Sequence, residues 1–260
     1  MRTPLTLLLS CLLLGVLLPG TAHAARYPVG SAPALTDNFL YKTGRLETTN
    51  CRTTPPKAGN VTSVKRYLLS VGKCLDTTWS AQFAKTGKPF TPPRIQILTE
   101  PHSYCGKPWT GSLLSDYCPQ DGTIVFLITE PILKKPSKLS AFIAISHEYG
   151  HHVQRLSGIQ DAYTRLPRRN AKERYEQARR HDLQAECLGA AFTRSVWESL
   201  KRPRGDWNAL RANTARGGDD YWETHEYGKG RSIVHWMDSG FAAASPGDCD
   251  TWSASASAVA

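Results

Sequence analysis

Residues 136–158 read Pro-Ser-Lys-Leu-Ser-Ala-Phe-Ile-Ala-Ile-Ser-His-Glu-Tyr-Gly-His-His-Val-Gln-Arg-Leu-Ser-Gly. Pro136-Ser137 can start a helix, and Leu139, Phe142, Ile143, Ile145, Tyr149 and Val153 carry it to a stop at Gly158. These apolar positions surround much of the cylinder, so the helix is expected to be buried on several sides. Inside it lies His147-Glu148-Tyr149-Gly150-His151. Histidines four apart share a helical face, with Cβ atoms about 6 Å apart, so both imidazoles can reach one tetrahedral zinc. Glu148 is rotated by about 100° from that row, where its carboxylate can reach a water on the metal. A chain with 8 histidines in 260 residues is expected to contain roughly 0.01 such HExxH matches by accident. Two imidazoles and a carboxylate in an apolar segment also need partners.

A catalytic zinc takes three protein ligands and keeps one position open, so a third ligand is expected from elsewhere. Candidates cluster in a helix predicted over residues 171–200: His181, Asp182 and Glu186. Asp182 and Glu186 are four apart and share a face, which suits one ligand and one hydrogen-bond acceptor for a histidine ligand. The first half of this helix (AKERYEQARRHD) reads as polar and solvated, the second (LQAECLGAAFTRSVW) as buried.

Outward from these helices, residues 25–60 are rich in Pro, Thr, Gly and Asn and read as an extended, loop-like lead-in. Val64, Leu68, Val71, Leu75, Trp79 and Phe83 recur at three- and four-residue steps and predict a helix over residues 61–85, with Cys74 beside its apolar face. RIQILT (residues 94–99) and TIVFLIT (residues 123–129) read as strands, separated by a Gly/Ser/Pro/Trp loop between Cys105 and Cys118. Residues 217–240 read as irregular or short-helical, and SASASAVA (residues 253–260) as a low-complexity tail. One compact α+β domain over residues 25–252 is the economical reading.

Residues 1–24 have the features of a signal peptide: Arg2, an apolar run at residues 5–18, and the small-residue site Ala22-His23-Ala24. The run, about 14 residues, is short of the roughly 20 that span a bilayer. A secreted protein is expected. Cleavage after Ala24 would leave Cys51, Cys74, Cys105, Cys118, Cys187 and Cys249. None has CxxC spacing, so they read as structural, and six suggest three disulfides. Sequence order favours Cys51–Cys74, Cys105–Cys118 and Cys187–Cys249, without excluding other pairings. With 32 Lys+Arg against 22 Asp+Glu the chain is basic. That charge suits a soluble surface or adhesion to acidic wall polymers or anionic membranes. No nucleic-acid motif accompanies it, so nucleic acid is not expected as a partner.

HEYGHHVQ (residues 147–154), DLQAEC (182–187), YCPQD (117–121) and GDCDTW (247–252) resemble the putative neutral zinc metallopeptidases of bacteria. Thr224-His225 followed by Arg231, and preceded by Gly218-Asp219-Asp220, is similar to that family's THG…R segment, with Glu226 where the family usually has Gly. The resemblance covers about residues 38–252. It implies a zincin-like, gluzincin-type domain with an HExxH active-site helix, a small sheet and disulfide staples. It makes Asp182 the third zinc ligand, although the family's usual Glu-then-Asp order is inverted to Asp182-then-Glu186. It also supports the pairs Cys105–Cys118 and Cys187–Cys249, leaving Cys51 with Cys74.

The expected activity is zinc-dependent peptide-bond hydrolysis: His147, His151 and Asp182 hold zinc, Glu148 is the general base, and His225 stabilises the oxyanion. Tyr149 and Tyr227 are weaker candidates for that donor. His152 faces away from the ligand row and reads either as a support to the ligands or as packing. By analogy with zincins, residues 123–129 are expected to line the cleft and pair with extended substrate. The substrate is a peptide or protein of unspecified sequence. The rival reading is a secreted, disulfide-stapled binding protein that keeps the fold without turnover.

Overall fold

The computed structural model describes residues 32–109, 114–136 and 139–260. The signal-like segment, and with it Cys11, lies outside these residues, as does Ser137 at the expected helix start. Helices α1 (Pro33–Thr36), α2 (Val61–Ala84), α3 (Glu130–Lys134), α4 (Leu139–Leu156), α5 (Ile159–Thr164), α6 (Ala171–Leu200), α7 (Arg204–Thr214), α8 (Asp219–Trp222) and α9 (Gly230–Ala243) accompany strands β1 (Arg94–Leu98), β2 (Ser115–Cys118) and β3 (Thr123–Leu127). The result is a helix-rich mixed fold with one small sheet.

The long helices start where the chain offers an N-cap. Asn60 accepts the Ser63 N–H at 2.8 Å to open α2, and Asn170 accepts the Glu173 N–H at 2.9 Å to open α6. The apolar stripe of α2 is buried from Val64 to Phe83 as its spacing requires. Sheet order is β1-β3-β2, with β1 parallel and β2 antiparallel to β3. β3 is buried at every residue. It is therefore the interior strand, paired on both sides, and cannot receive substrate on an edge as the sequence suggested. The outer strand β2 packs against α4 instead.

α6 packs against both α4 and α9. The α4–α6 crossing is close because two glycines allow it. A Cβ on Gly150 would stand 2.6 Å from the Ala185 carbonyl oxygen, and one on Gly189 would stand 2.9 Å from the Ser146 carbonyl carbon. This approach brings the His147/His151 face of α4 onto the Asp182/Glu186 face of α6.

Three disulfides, Cys51–Cys74, Cys105–Cys118 and Cys187–Cys249, follow sequence order. The third ties α6 to the 3₁₀ turn Pro246–Cys249. The last residues pack on the body: Val259 is buried and the Trp236 indole donates to the Ala258 carbonyl at 2.9 Å. Among the described residues no helix is long and apolar enough to cross a membrane.

Two expectations are corrected here and a third is narrowed. The first half of α6 is not uniformly solvated: Arg180 is fully buried, pairs with Glu176 at 2.8 Å, and donates to the carbonyls of Thr251 and Ala254. A buried charge is tolerable when its donors are met in this way. Residues 217–240 hold α8 and most of α9, so the short-helical alternative applies, with Gly240 placed against the Cys187 backbone. The lead-in carries α1 and a 3₁₀ turn, Phe39–Lys42, and buries Leu35 and Leu40 fully.

Candidate metal centre

His147 and His151 sit one turn apart on α4, their rings 4.8 Å apart and nearly perpendicular. Asp182 Oδ1 lies 3.5 Å from His147 Nε2 and 3.8 Å from His151 Nε2. One ligand atom from each of the three residues falls within 4.8 Å of the other two, so the group could hold a metal ion. Glu186, one turn along α6, meets the other nitrogen of His147: Nδ1 stands 2.8 Å from Oε2. His181 stacks on His151, at 4.8 Å and 20° between planes, and on Tyr163, at 4.5 Å and 15°. Its ring lies alongside His151 and is not part of the convergent group. Of the three α6 candidates, Asp182 is the one facing both ligand nitrogens.

The electrostatics fit a divalent cation. Burial works against a charge on His147, yet the Asp182 and Glu186 carboxylates raise it well above its ordinary value. Burial likewise opposes a charge on Asp182, but His147 and His151 outweigh it and hold the carboxyl well below its ordinary range. The field between rings and carboxylate thus selects positive charge, and two imidazoles with one carboxylate are a zinc-type donor set.

Glu148 is buried beside this cluster, and its Oε1 accepts from Ser115 Oγ at 2.9 Å. Burial pushes its carboxyl up, while His147 and His151 pull it down; the net shift is upward. Ser115 belongs to β2, a four-residue strand without β-branched residues that sequence periodicity did not reveal. Gln154 is a second such residue, its position three after His151 being the signal in the sequence. His151 Nδ1 stands 2.8 Å from its Oε1.

The remaining sequence candidates are elsewhere. His225 is exposed: its ring packs edge-on against Tyr175 at 5.1 Å, and its carbonyl accepts from Arg179. This placement lends its expected oxyanion role no support. The loop turns so that the next two residues, Glu226 and Tyr227, line the metal-type cleft. Tyr149 donates to Asp76 Oδ1 at 2.6 Å on the far side of α4, fully buried. His152 takes a hydrogen bond from the Tyr117 hydroxyl on Nδ1 and donates from Nε2 to the Thr91 carbonyl at 2.7 Å. Burial lowers its pKa to about 4, so it is a neutral packing residue.

The cleft has a volume of about 380 Å³ and is lined by His151, His181, Asp182, Tyr163, Glu226 and Tyr227, among others. A larger groove, about 620 Å³, lies on α2 around Leu69 and Asp76 and holds none of the cluster.

Residues 59–252 match the family described as "Putative neutral zinc metallopeptidase". The chain belongs to that family. The resemblance read from HEYGHHVQ is thereby shown, and zinc is the metal the neutral zinc metallopeptidase family implies. Two curated relatives, both called "Uncharacterized protein YpfJ", come from Escherichia coli strain K12 and Escherichia coli O6:H1 strain CFT073. Each is 26% identical over 196 residues, covering 68% of this chain and 67% of the relative. No solved structure matches the chain.

Proposed function

We propose that this chain is a secreted zinc-dependent peptidase of zincin type. The observation that carries the reading is the convergence of His147, His151 and Asp182 beside the buried, hydrogen-bonded carboxylate of Glu148. His147 and His151 would hold zinc through Nε2, and Asp182 through its carboxylate. Zinc so held supplies Lewis acidity, which acidifies a water and polarises a peptide carbonyl.

The chain's own residues do the rest. Glu148, its Oε1 fixed by the Ser115 hydroxyl, takes the water's proton and passes it to the leaving amine. A carboxyl raised by burial is the stronger base for the first of those transfers. Glu186 keeps Nε2 of His147 turned toward Asp182 by accepting from Nδ1. With His225 exposed, Tyr227, one of the tyrosines lining the cleft, would be the donor to the oxyanion.

Strand β2 replaces β3 as the substrate-pairing edge. Leu127 N donates to the Leu114 carbonyl at 2.8 Å, and antiparallel alternation then turns the Ser115 backbone groups away from β3. An extended peptide laid along that edge would pass the residue that holds Glu148. Three disulfides support an oxidising compartment.

The Ser115–Glu148 bond favours this reading over a binding protein without turnover, because a purely structural zinc has no use for a positioned base. The test is a broad peptide-library digest with the zinc-loaded protein. Cleavage that a chelator abolishes and zinc restores is expected. A zinc-loaded, folded protein that cleaves nothing would overturn the peptidase reading in favour of the binding protein.

A further inference from the structure

Gln154 is fully buried, and each of its polar contacts has a defined direction. Its Nε2 lies 2.7 Å from the His181 carbonyl and 2.9 Å from Gln184 Oε1, and its Oε1 lies 2.8 Å from His151 Nδ1. Gln184, also fully buried, is oriented by its own surroundings. Its Nε2 points at the Cys249 carbonyl at 3.0 Å and at the Tyr41 hydroxyl at 2.7 Å, while its Oε1 receives the Trp252 indole N–H at 3.2 Å. An indole N–H only donates and a carbonyl only accepts. The Tyr41 hydroxyl spends its proton on the Leu35 carbonyl at 2.8 Å, so toward Gln184 it accepts.

These end points leave one arrangement of the chain. Turning Gln184 over would set amide hydrogens against the indole N–H and oxygen against the Cys249 carbonyl. Turning Gln154 over would set its oxygen against both the His181 carbonyl and Gln184 Oε1. The acceptor end of Gln154 therefore faces His151, and the proton of His151 belongs on Nδ1. The lone pair is left on Nε2, the atom that faces Asp182.

We infer that Trp252, Gln184 and Gln154 form a buried relay that fixes the tautomer and ring orientation of His151, making Gln154 and Gln184 positioning residues for the metal site. The relay runs through the segment that Cys187–Cys249 staples to α6, so the C-terminal end of the fold sets the polarity of a metal ligand. It also explains why one histidine is oriented by a carboxylate, Glu186, and the other by an amide. Asp182, Glu186 and Glu148 already crowd the site with negative charge, and Gln154 directs a proton without adding more.

The inference concerns metal binding by the proposed site and does not depend on peptide turnover. The first measurement is long-range ¹H–¹⁵N NMR of the imidazoles in the metal-free full chain, with zinc affinity then taken by chelator competition. His151 protonated on Nδ1 in the wild type is expected. Gln154→Leu should lose that preference and bind zinc about 10–100-fold more weakly. Gln154→Glu keeps the acceptor and loses the donors, so it should keep the tautomer and weaken zinc binding by no more than about threefold while melting at lower temperature. A merely structural role would make the two variants alike in zinc affinity. A neutral wild-type His151 ring protonated on Nε2 and not on Nδ1, or zinc binding in Gln154→Leu equal to wild type, would overturn the inference. If Gln154→Leu does not fold, the wild-type tautomer and Gln154→Glu still decide. Tight zinc binding through the relay by a protein that cleaves no peptide would remove the proposed function and leave the relay standing.

Discussion

Nδ1 of His147 meets Glu186 Oε2 at 2.8 Å while its Nε2 faces Asp182 Oδ1 at 3.5 Å, so two carboxylates one turn apart on α6 divide the two nitrogens of a single ring. Asp182 and Glu186 thus supply both a candidate ligand and an orienting acceptor. Glu186→Ala should bind zinc about 10–100-fold more weakly at unchanged stoichiometry, read by chelator competition. Complete loss of the metal would instead mark Glu186 as a ligand.

Glu148 is the base in this account. Glu148→Gln preserves an acceptor for Ser115 but cannot carry a proton, so peptide hydrolysis should fall by about 10²–10⁴-fold with zinc retained. Single-turnover cleavage and metal content of the same preparation check this, and full activity in the variant would sink the mechanism.

The α4–α6 approach depends on Gly150. Gly150→Ala would press a methyl group onto the Ala185 backbone, and overpacking of this kind costs about 1–3 kcal/mol. Thermal unfolding should shift down, and zinc affinity should fall with it because the two ligand faces separate. A variant as stable and as zinc-avid as wild type would show that the helices can part without cost.

The helices that build the centre were legible because α2, α4 and α6 each carry an apolar stripe with helical spacing, and the HExxH residues occupy one of them. What escaped was decided by tertiary partners. β2 reads Ser-Asp-Tyr-Cys and has no strand signature of its own; β3 beside it and the α4 surface make it a strand. The polar face of early α6 looked solvated because nothing in Arg180 or Glu176 announces the carbonyls of Thr251 and Ala254 that satisfy the arginine. Residues 217–240 left irregular and short-helical chain both open, because the role of Gly240, packing α9 against the Cys187 backbone, depends on a tertiary partner. Motif position placed His225 near the chemistry, but the turn that presents Glu226 and Tyr227 to the cleft leaves it outside.

Behind the active helix, Asp76 accepts from Tyr149 and is partly buried, and that burial raises its pKa above the ordinary carboxylate value. A group that holds its proton more tightly when folded favours the folded state below its unfolded pKa. That contribution is lost as pH rises through the folded value. Wild type should therefore gain stability relative to Asp76→Asn on acidification from neutral toward about pH 4, measured by urea unfolding at each pH. A difference independent of pH would mean that Asp76 titrates alike in both states.

A three-residue zinc site fixes the metal content of the folded chain, which can be counted. Elemental analysis of the purified, disulfide-bonded protein beside Asp182→Ala should find one zinc per chain in the wild type and none in the variant after dialysis. Zinc retained by folded Asp182→Ala, or absent from folded wild type grown with zinc, would contradict the account.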